Sequence, residues 1–173
     1  MKIDEVAVGY LKCNCYILDI DNHVLIIDPG DDVDKIIKKI GNRKVIGIII
    51  THHHFDHVGA LEEILNYKKV MVYDSKLKEG NYNIAGFNIE VIHTEGHTSD
   101  SVSYYFKDYN IMFVGDFIFE GSIGRCDLPT GDINKMNESI NKIKKYNDDI
   151  ILYPGHGNKT TLGIEKKTNY YFT

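Results

Sequence analysis

The chain has 173 residues, 43% hydrophobic and 26% charged, which is enough apolar material for one core and too little length for two full-size domains. Its 20 Lys+Arg against 25 Asp+Glu give a formal charge of -5, and no basic stripe offsets that balance, so nucleic acid is not an expected partner. The amino terminus, MKIDEVAVGY, lacks the basic start and long apolar run of a leader, no stretch approaches about 18 apolar residues, and Cys13 and Cys15 lie too close to bridge without strain. These features predict a cytoplasmic protein with reduced thiols that does not engage a membrane.

In chain order, strands are predicted at Lys2 to Val8, Cys13 to Ile20 and His23 to Asp28, the last closed by the turn Asp28-Pro29-Gly30. Val33, Ile36, Ile37 and Ile40 then fall at helical spacing, with Asp31 and Asp32 as cap candidates and Gly41 as a stop. The aliphatic run Val45 to Ile50 suits a strand buried on both faces, and the helix after it places Val58, Leu61, Ile64 and Leu65 on one side. Further strands are predicted at Val70 to Tyr73, Tyr82 to Ala85, Phe87 to Ile92, Ser101 to Phe106 and Ile111 to Val114, with Asp108-Tyr109-Asn110 as a hairpin turn. Ile133, Met136, Ile140 and Ile143 mark an amphipathic helix, Ile150 to Tyr153 a core strand, and Leu162 to Tyr171 a terminal helix. Strands and helices in blocks, with no repeat or linker, predict an α+β fold of sheets packed together with helices outside.

The densest chemistry is Thr51-His52-His53-His54-Phe55-Asp56-His57, four imidazoles and a carboxylate directly after a buried strand. In extended backbone alternate side chains point the same way, so His52 and His54 can converge on one ion while His53 faces away. Asp56 and His57 follow as the chain turns into a helix and can reach a second ion nearby. A solvated polar loop is the competing reading of this segment alone. Three distant segments weigh against it, each with a metal-competent residue just past a strand: Glu95-Gly96-His97-Thr98, Gly115-Asp116-Phe117 and Pro154-Gly155-His156-Gly157. Alone each is weak, since a lone His or Asp in a Gly-rich turn is more often a cap or a surface group; together they are strong.

The HxHxDH pattern of His52, His54, Asp56 and His57, the GHT of Gly96 to Thr98, the GD of Gly115-Asp116 and the PGHG of Pro154 to Gly157 resemble the metallo-β-lactamase superfamily. Asn14-Cys15-Tyr16, Gly121 to Arg125, Asp127-Leu128-Pro129 and Thr160 to Glu165 are similar to its glyoxalase II-like (hydroxyacylglutathione hydrolase-like) branch. The resemblance runs from about Asn14 to Asn169 and implies that residues 1–173 form a single domain with a four-layer αββα sandwich. It implies that His52, His54 and His97 hold one metal, that Asp56, His57 and His156 hold another, and that Asp116 bridges them. Asp28 resembles the acidic residue that orients a ligand from behind the site, with a turn-forming role as the alternative.

Under that resemblance the mechanism follows from charge. Two divalent ions, the carboxylates of Asp56 and Asp116 and a bridging hydroxide leave the centre at +1, which favours anions. The metals bring the pKa of bound water to about 7 and stabilise the oxyanion and leaving group, while Asp56 aims the hydroxide, so no protein nucleophile is needed. The expected ions are zinc, with iron or manganese as alternatives. The expected substrate is a small-molecule thioester, with less than about a tenfold preference for glutathione over a simpler thiol.

Other readings stay open. A persulfide dioxygenase-like iron oxidoreductase would use His52, His97 and Asp116, and lactone or phosphoester hydrolysis would use the same centre. A non-catalytic binding module is disfavoured by the seven filled ligand positions. Arg125 can bind a substrate carboxylate or pair with Asp127 or Asp132. Cys13 and Cys15 read as small buried hydrophobes, Cys126 as structural, and Tyr170 and Tyr171 as core unless they line a pocket. Glu95 stands where the family usually has proline, and Thr130 where it has glycine.

Overall fold

Period-two burial begins the first sheet: in β1 (Lys2–Val8) Asp4, Val6 and Val8 are buried while Glu5 and Ala7 are exposed. The computed structural model describes residues 1–84 and 86–172, and its contacts divide into two compact units, Met1–Lys76 and a second beginning at Leu77. In the first unit β1 pairs antiparallel with β2 (Cys13–Ile20), β2 antiparallel with β3 (His23–Ile27), and β3 parallel with β4 (Lys44–Ile49), which pairs parallel with β5 (Val72–Tyr73). The helix α1 (Val33–Ile40) carries the chain from β3 to β4, a crossover that parallel neighbours require. Ile36 and Ile40 of α1 and Ile64 of a later helix join Val24, Ile26, Ile48 and Ile50 in one apolar cluster. Leu18, Leu25 and Ile27, outside that cluster, are buried too, so the sheet has two apolar faces, as the aliphatic runs predict.

Two local expectations are corrected here. Asp32 is the residue before α1, but its side chain makes no cap bond; it sits at φ 52 and its carboxylate accepts the Gly9 N–H at 3.1 Å. The single helix predicted around Val58 is two pieces, α2 (Phe55–Val58) and α3 (Leu61–Tyr67). The break has a cause: the Ala60 N–H donates to Pro29 O at 3.0 Å, drawing the chain onto the Asp28–Gly30 turn.

The second unit contains β6 (Gly80–Ile84), β7 (Phe87–His93), β8 (Val102–Phe106), β9 (Ile111–Gly115), β10 (Ile118–Phe119), β11 (Ser122–Ile123), α4 (Ile133–Ile143), β12 (Ile151–Pro154), β13 (Thr160–Thr161) and α5 (Leu162–Thr168). Its larger sheet runs β13-β12-β9-β8-β7-β6, with only the β9–β12 pair parallel, and β10–β11 is a separate ribbon. Ala85, which closes the predicted strand Tyr82 to Ala85, lies outside the described residues. The Asp108 to Asn110 turn forms as a 3₁₀ turn over Lys107–Tyr109 with Asn110 left-handed at φ 54.

Met136, Ile140 and Ile143 of α4 pack with Ile92, Met112, Val114 and Leu152, but Ile133 on the first turn is exposed rather than core. The terminal helix stops at Thr168, and a 3₁₀ turn over Tyr170–Phe172 follows. Asn169 breaks it: its backbone is extended and its buried side chain bonds Glu165 and the Ser122 carbonyl instead of solvent. Tyr170 and Tyr171 are consequently exposed, which corrects their core reading. Among the described residues no helix is long and apolar enough to cross a membrane.

Candidate metal centre

The first unit builds its share of the chemistry at the end of β4, where the backbone leaves the sheet through Thr51 to His54 and enters α2. The carboxylate of Asp28, in the turn after β3 and almost fully buried, organises this stretch. Its Oδ1 accepts the Thr51 N–H at 2.8 Å, and its Oδ2 accepts the Thr51 hydroxyl at 2.6 Å and His57 Nδ1–H at 3.0 Å.

The consequence is a fixed tautomer at two histidines. A carboxylate can only accept, so His57 carries its proton on Nδ1 and keeps the Nε2 lone pair for another partner. The Thr51 hydroxyl has given its proton to Asp28, so at the 3.2 Å contact with His52 Nδ1 it can only accept. His52 is therefore also protonated on Nδ1, with its Nε2 lone pair directed to His54. His52 Nε2 and His54 Nδ1 stand 3.2 Å apart. Two donors on one tetrahedral ion at 2.0–2.1 Å would be about 3.3 Å apart, so the pair has the spacing of one edge of a coordination shell. Asp56 Oδ2 lies 3.9 Å from His57 Nε2, on the side opposite Asp28. His53 points elsewhere, half exposed with Nε2 3.6 Å from Asp74, as strand alternation predicts.

Backbone packing makes this stretch intolerant of bulk. A Cβ on Gly30 would lie 1.6 Å from the Asp56 carbonyl, so only glycine lets the turn after β3 touch the start of α2. Cys13, buried on β2, has its sulfur 3.6 Å from His57 Nδ1, a contact that sequence reading did not assign. Cys15 is buried and burial pushes its thiol pKa well up, which makes it an inert core residue.

The second unit gathers His97, Asp116 and His156 from three separate loops, after β7, β9 and β12. One oxygen, Asp116 Oδ2, stands 3.6 Å from His97 Nε2 and 3.7 Å from His156 Nε2. These distances exceed a hydrogen bond and leave room for a cation between the oxygen and each nitrogen. His97 Nδ1 donates to the Arg125 carbonyl at 2.7 Å, so its Nε2 lone pair also faces Asp116. The donor set in both units, neutral imidazole nitrogens and carboxylate oxygens, fits divalent metal ions.

The loop carrying that carbonyl is held from behind. Glu165, fully buried on α5, accepts the Gly121 N–H at 2.9 Å, the Thr160 hydroxyl at 2.6 Å and the Asn169 amide at 2.8 Å, and the same amide group reaches Ser122 O at 2.9 Å. Three residues further on, a Cβ on Gly124 would lie 1.8 Å from the Asp116 carbonyl and 3.0 Å from His97 Nδ1. Sequence reading saw Glu165 only as part of a branch motif; its signal was a carboxylate at the buried spacing of an amphipathic helix.

Arg125 does not offer its guanidinium to the centre. It forms a bidentate pair with Asp127 at 2.7 and 2.8 Å on the exposed surface, holding that carboxyl down to about 2, and only its backbone carbonyl serves His97. Asp132, its alternative partner, instead caps α4 by accepting the Asn134 N–H at 2.7 Å. Cys126 is half buried with its thiol on the Gly124 carbonyl, a structural placement. Glu95 uses its carbonyl to accept the Ser139 hydroxyl at 2.7 Å, which supplies a restraint on the His97 loop where the family has proline. Thr130 adopts φ 70, the backbone that glycine serves in the family pattern.

Comparison with known proteins gives the family. The family model of the metallo-beta-lactamase superfamily matches residues 8–83 and 74–156. "Hydroxyacylglutathione hydrolase GloC" of Haemophilus influenzae is 32% identical over 98% of this chain and 97% of its own. The crystal structure of the BLEG-1 B3 metallo-beta-lactamase superposes with a TM-score of 0.94 at 31% identity, covering 99% of this chain and 100% of that one. TTHA1623, solved in a di-iron-bound form, gives 0.90 at 28% identity, covering 97% and 99%. The α+β expectation is met, and by these matches the chain belongs to the metallo-β-lactamase superfamily, whose members are generally hydrolases and whose fold implies a binuclear divalent-metal site.

Proposed function

We propose that the protein is a binuclear metal-dependent hydrolase of small-molecule thioesters, acting in the cytoplasm in the manner of glyoxalase II. In this reading His52, His54 and His97 hold one ion, Asp56, His57 and His156 the other, and Asp116 stands between them. The observation that carries it is Asp116 Oδ2 at 3.6 and 3.7 Å from two histidine Nε2 atoms whose chain positions are 59 residues apart (156 minus 97). When bound, two divalent ions, zinc by preference for this donor set, supply a water acidic enough to attack at neutral pH and Lewis-acid polarisation of the carbonyl.

The protein's own residues then have defined tasks. Asp28 holds His57, and through Thr51 His52, in the tautomer that presents Nε2. The Arg125 carbonyl does the same for His97. Asp56 accepts a proton from the attacking water and orients it, and the thioester C–S bond breaks to give a carboxylic acid and a thiol. Water supplies the oxygen and both protons, so no redox partner is required. The name of the Haemophilus influenzae relative supports a hydroxyacylglutathione substrate.

The test is a substrate panel on the zinc-loaded protein: S-2-hydroxyacylglutathione, a simple thioester, a lactone and a phosphodiester. Thioester turnover well above the other classes is expected. Efficient lactone or phosphodiester cleavage with inert thioesters would overturn the assignment.

A further inference from the structure

His97 and His156 are held to different degrees. The His97 side chain is 4% exposed and its Nδ1 donates to the Arg125 carbonyl at 2.7 Å, whereas the His156 side chain is 26% exposed. His156 stands in the β12–β13 loop between Gly155 and Gly157, the latter left-handed at φ 74. The loop is anchored on one side: the Gly155 N–H donates to the Gly115 carbonyl at 2.8 Å, which brings His156 beside the strand that leads into Asp116. Two flanking glycines leave the backbone around the imidazole broad freedom, so an anchor at Gly155 alone does not set where Nε2 points.

The β10–β11 ribbon supplies the other restraints. Phe119, at the end of β10, meets the His156 ring edge to face, with centroids 6.4 Å apart and an interplanar angle of 67°. The next residue, Glu120, accepts the Asn158 side-chain amide N–H at 3.0 Å. The two contacts lie on either side of Gly157, so the ribbon grips the loop across its freest residue. The ribbon is itself fixed: Phe119 pairs with Ser122, buried Glu165 accepts the Gly121 N–H, and the Ser122 carbonyl accepts the Asn169 amide. Beyond β11 the same segment carries the Arg125 carbonyl to His97. One short element therefore reaches both histidines of the dispersed set. We infer that Phe119 and Glu120 are positioning residues for His156, the ribbon setting its Nε2 relative to Asp116 as the Arg125 carbonyl sets that of His97; the inference rests on the reading of His156 as a metal ligand.

Zinc titrations of the stripped protein against a fluorescent chelator test it. Phe119→Leu keeps an apolar side chain but removes the ring, and Glu120→Ala removes the acceptor. Each should weaken zinc binding by about two- to tenfold, the range for one aromatic contact or one hydrogen bond. Phe119→Tyr and Glu120→Gln retain the ring and an accepting oxygen and should bind zinc as the parent does. Glu120 is exposed, so its substitution keeps the test open if Phe119→Leu does not fold.

A His156→Ala background separates positioning from a general loosening of the loop. There Phe119→Leu and Glu120→Ala should have no further effect on zinc affinity, whereas a purely structural role would carry through to both backgrounds alike. Undiminished effects in that background, or parental affinity in both single variants, overturn the inference. Parental affinity in His156→Ala itself removes the ligand and the inference with it. The titrations use no substrate, which keeps their outcome apart from the thioester reading. Weakened zinc binding in a protein that cleaves no thioester removes that reading and leaves the positioning role standing; thioester cleavage with parental zinc affinity in both variants does the reverse.

Discussion

The two units supply their metal-competent residues in opposite ways. The first concentrates His52, His54, Asp56 and His57 in six consecutive positions (52 to 57), and one buried carboxylate, Asp28, sets the tautomers behind two of them. The second draws His97, Asp116 and His156 from three loops and steadies them through backbone: the Arg125 carbonyl on His97, with Glu165 clamping the loop it belongs to. A contiguous motif can be organised by a single side chain because strand and helix geometry already fix the spacing. A dispersed set needs a strut, since nothing local relates one loop to another.

Replacing Asp116 should have the largest effect, because it is the residue the dispersed set is arranged around. Asp116→Asn keeps the shape but removes a negative charge and a strong oxygen donor. Metal content should fall by at least one ion and turnover by roughly a hundredfold or more, as elemental analysis and kinetics would show. Full metal content with unchanged turnover would sink the bridging role.

Asp28→Asn probes the contiguous motif. Its amide would place an N–H against His57 Nδ1 and the Thr51 hydroxyl, driving His57 to the tautomer whose Nε2 carries the proton. Metal affinity should drop roughly 10- to 100-fold. A chelator competition curve that overlays the parent would show that tautomer control is not needed there.

Glu165→Gln should act on the dispersed set by a smaller amount. One oxygen becomes an N–H facing donors from Gly121, Thr160 or Asn169, a mismatch costing about 1–3 kcal/mol. Lower thermal stability together with a right-shifted metal titration is expected. Destabilisation with unaltered metal affinity would reduce Glu165 to a core residue that does not reach His97.

The smallest effect belongs to His53→Ala, whose side chain faces Asp74. Its metal content should equal that of the parent, whereas His54→Ala should lose an ion. Equal losses in the two variants would show that the register of the motif is misassigned.

This contrast also explains what could be read from sequence. The contiguous motif was legible because alternation past a strand sorts His52 and His54 from His53, and the core strands were legible from their aliphatic runs. The dispersed residues His97, Asp116 and His156 were legible only when three weak strand-end signals were weighed together and then matched to the family pattern. Nothing local relates His97 to Asp116, and Glu165 reaches Gly121 across 44 residues. Thr51 was missed for a similar reason: its role depends on Asp28, 23 residues earlier. The two-residue strands β10, β11 and β13 are too short for alternation to register. The breaks at Gly59–Ala60 and Asn169 arise from contacts with the Asp28–Gly30 turn and with Glu165, which a helical period cannot report.

The proposal that both sets of residues bind metal as one binuclear centre is the part most open to direct test. Counting tightly held metal directly tests it: the protein is stripped, reconstituted with zinc in the presence of a competing chelator, and assayed for zinc per chain. The account predicts two ions per chain in the parent and one or none in Asp116→Asn; a single ion in the parent, unaffected by that substitution, would contradict it.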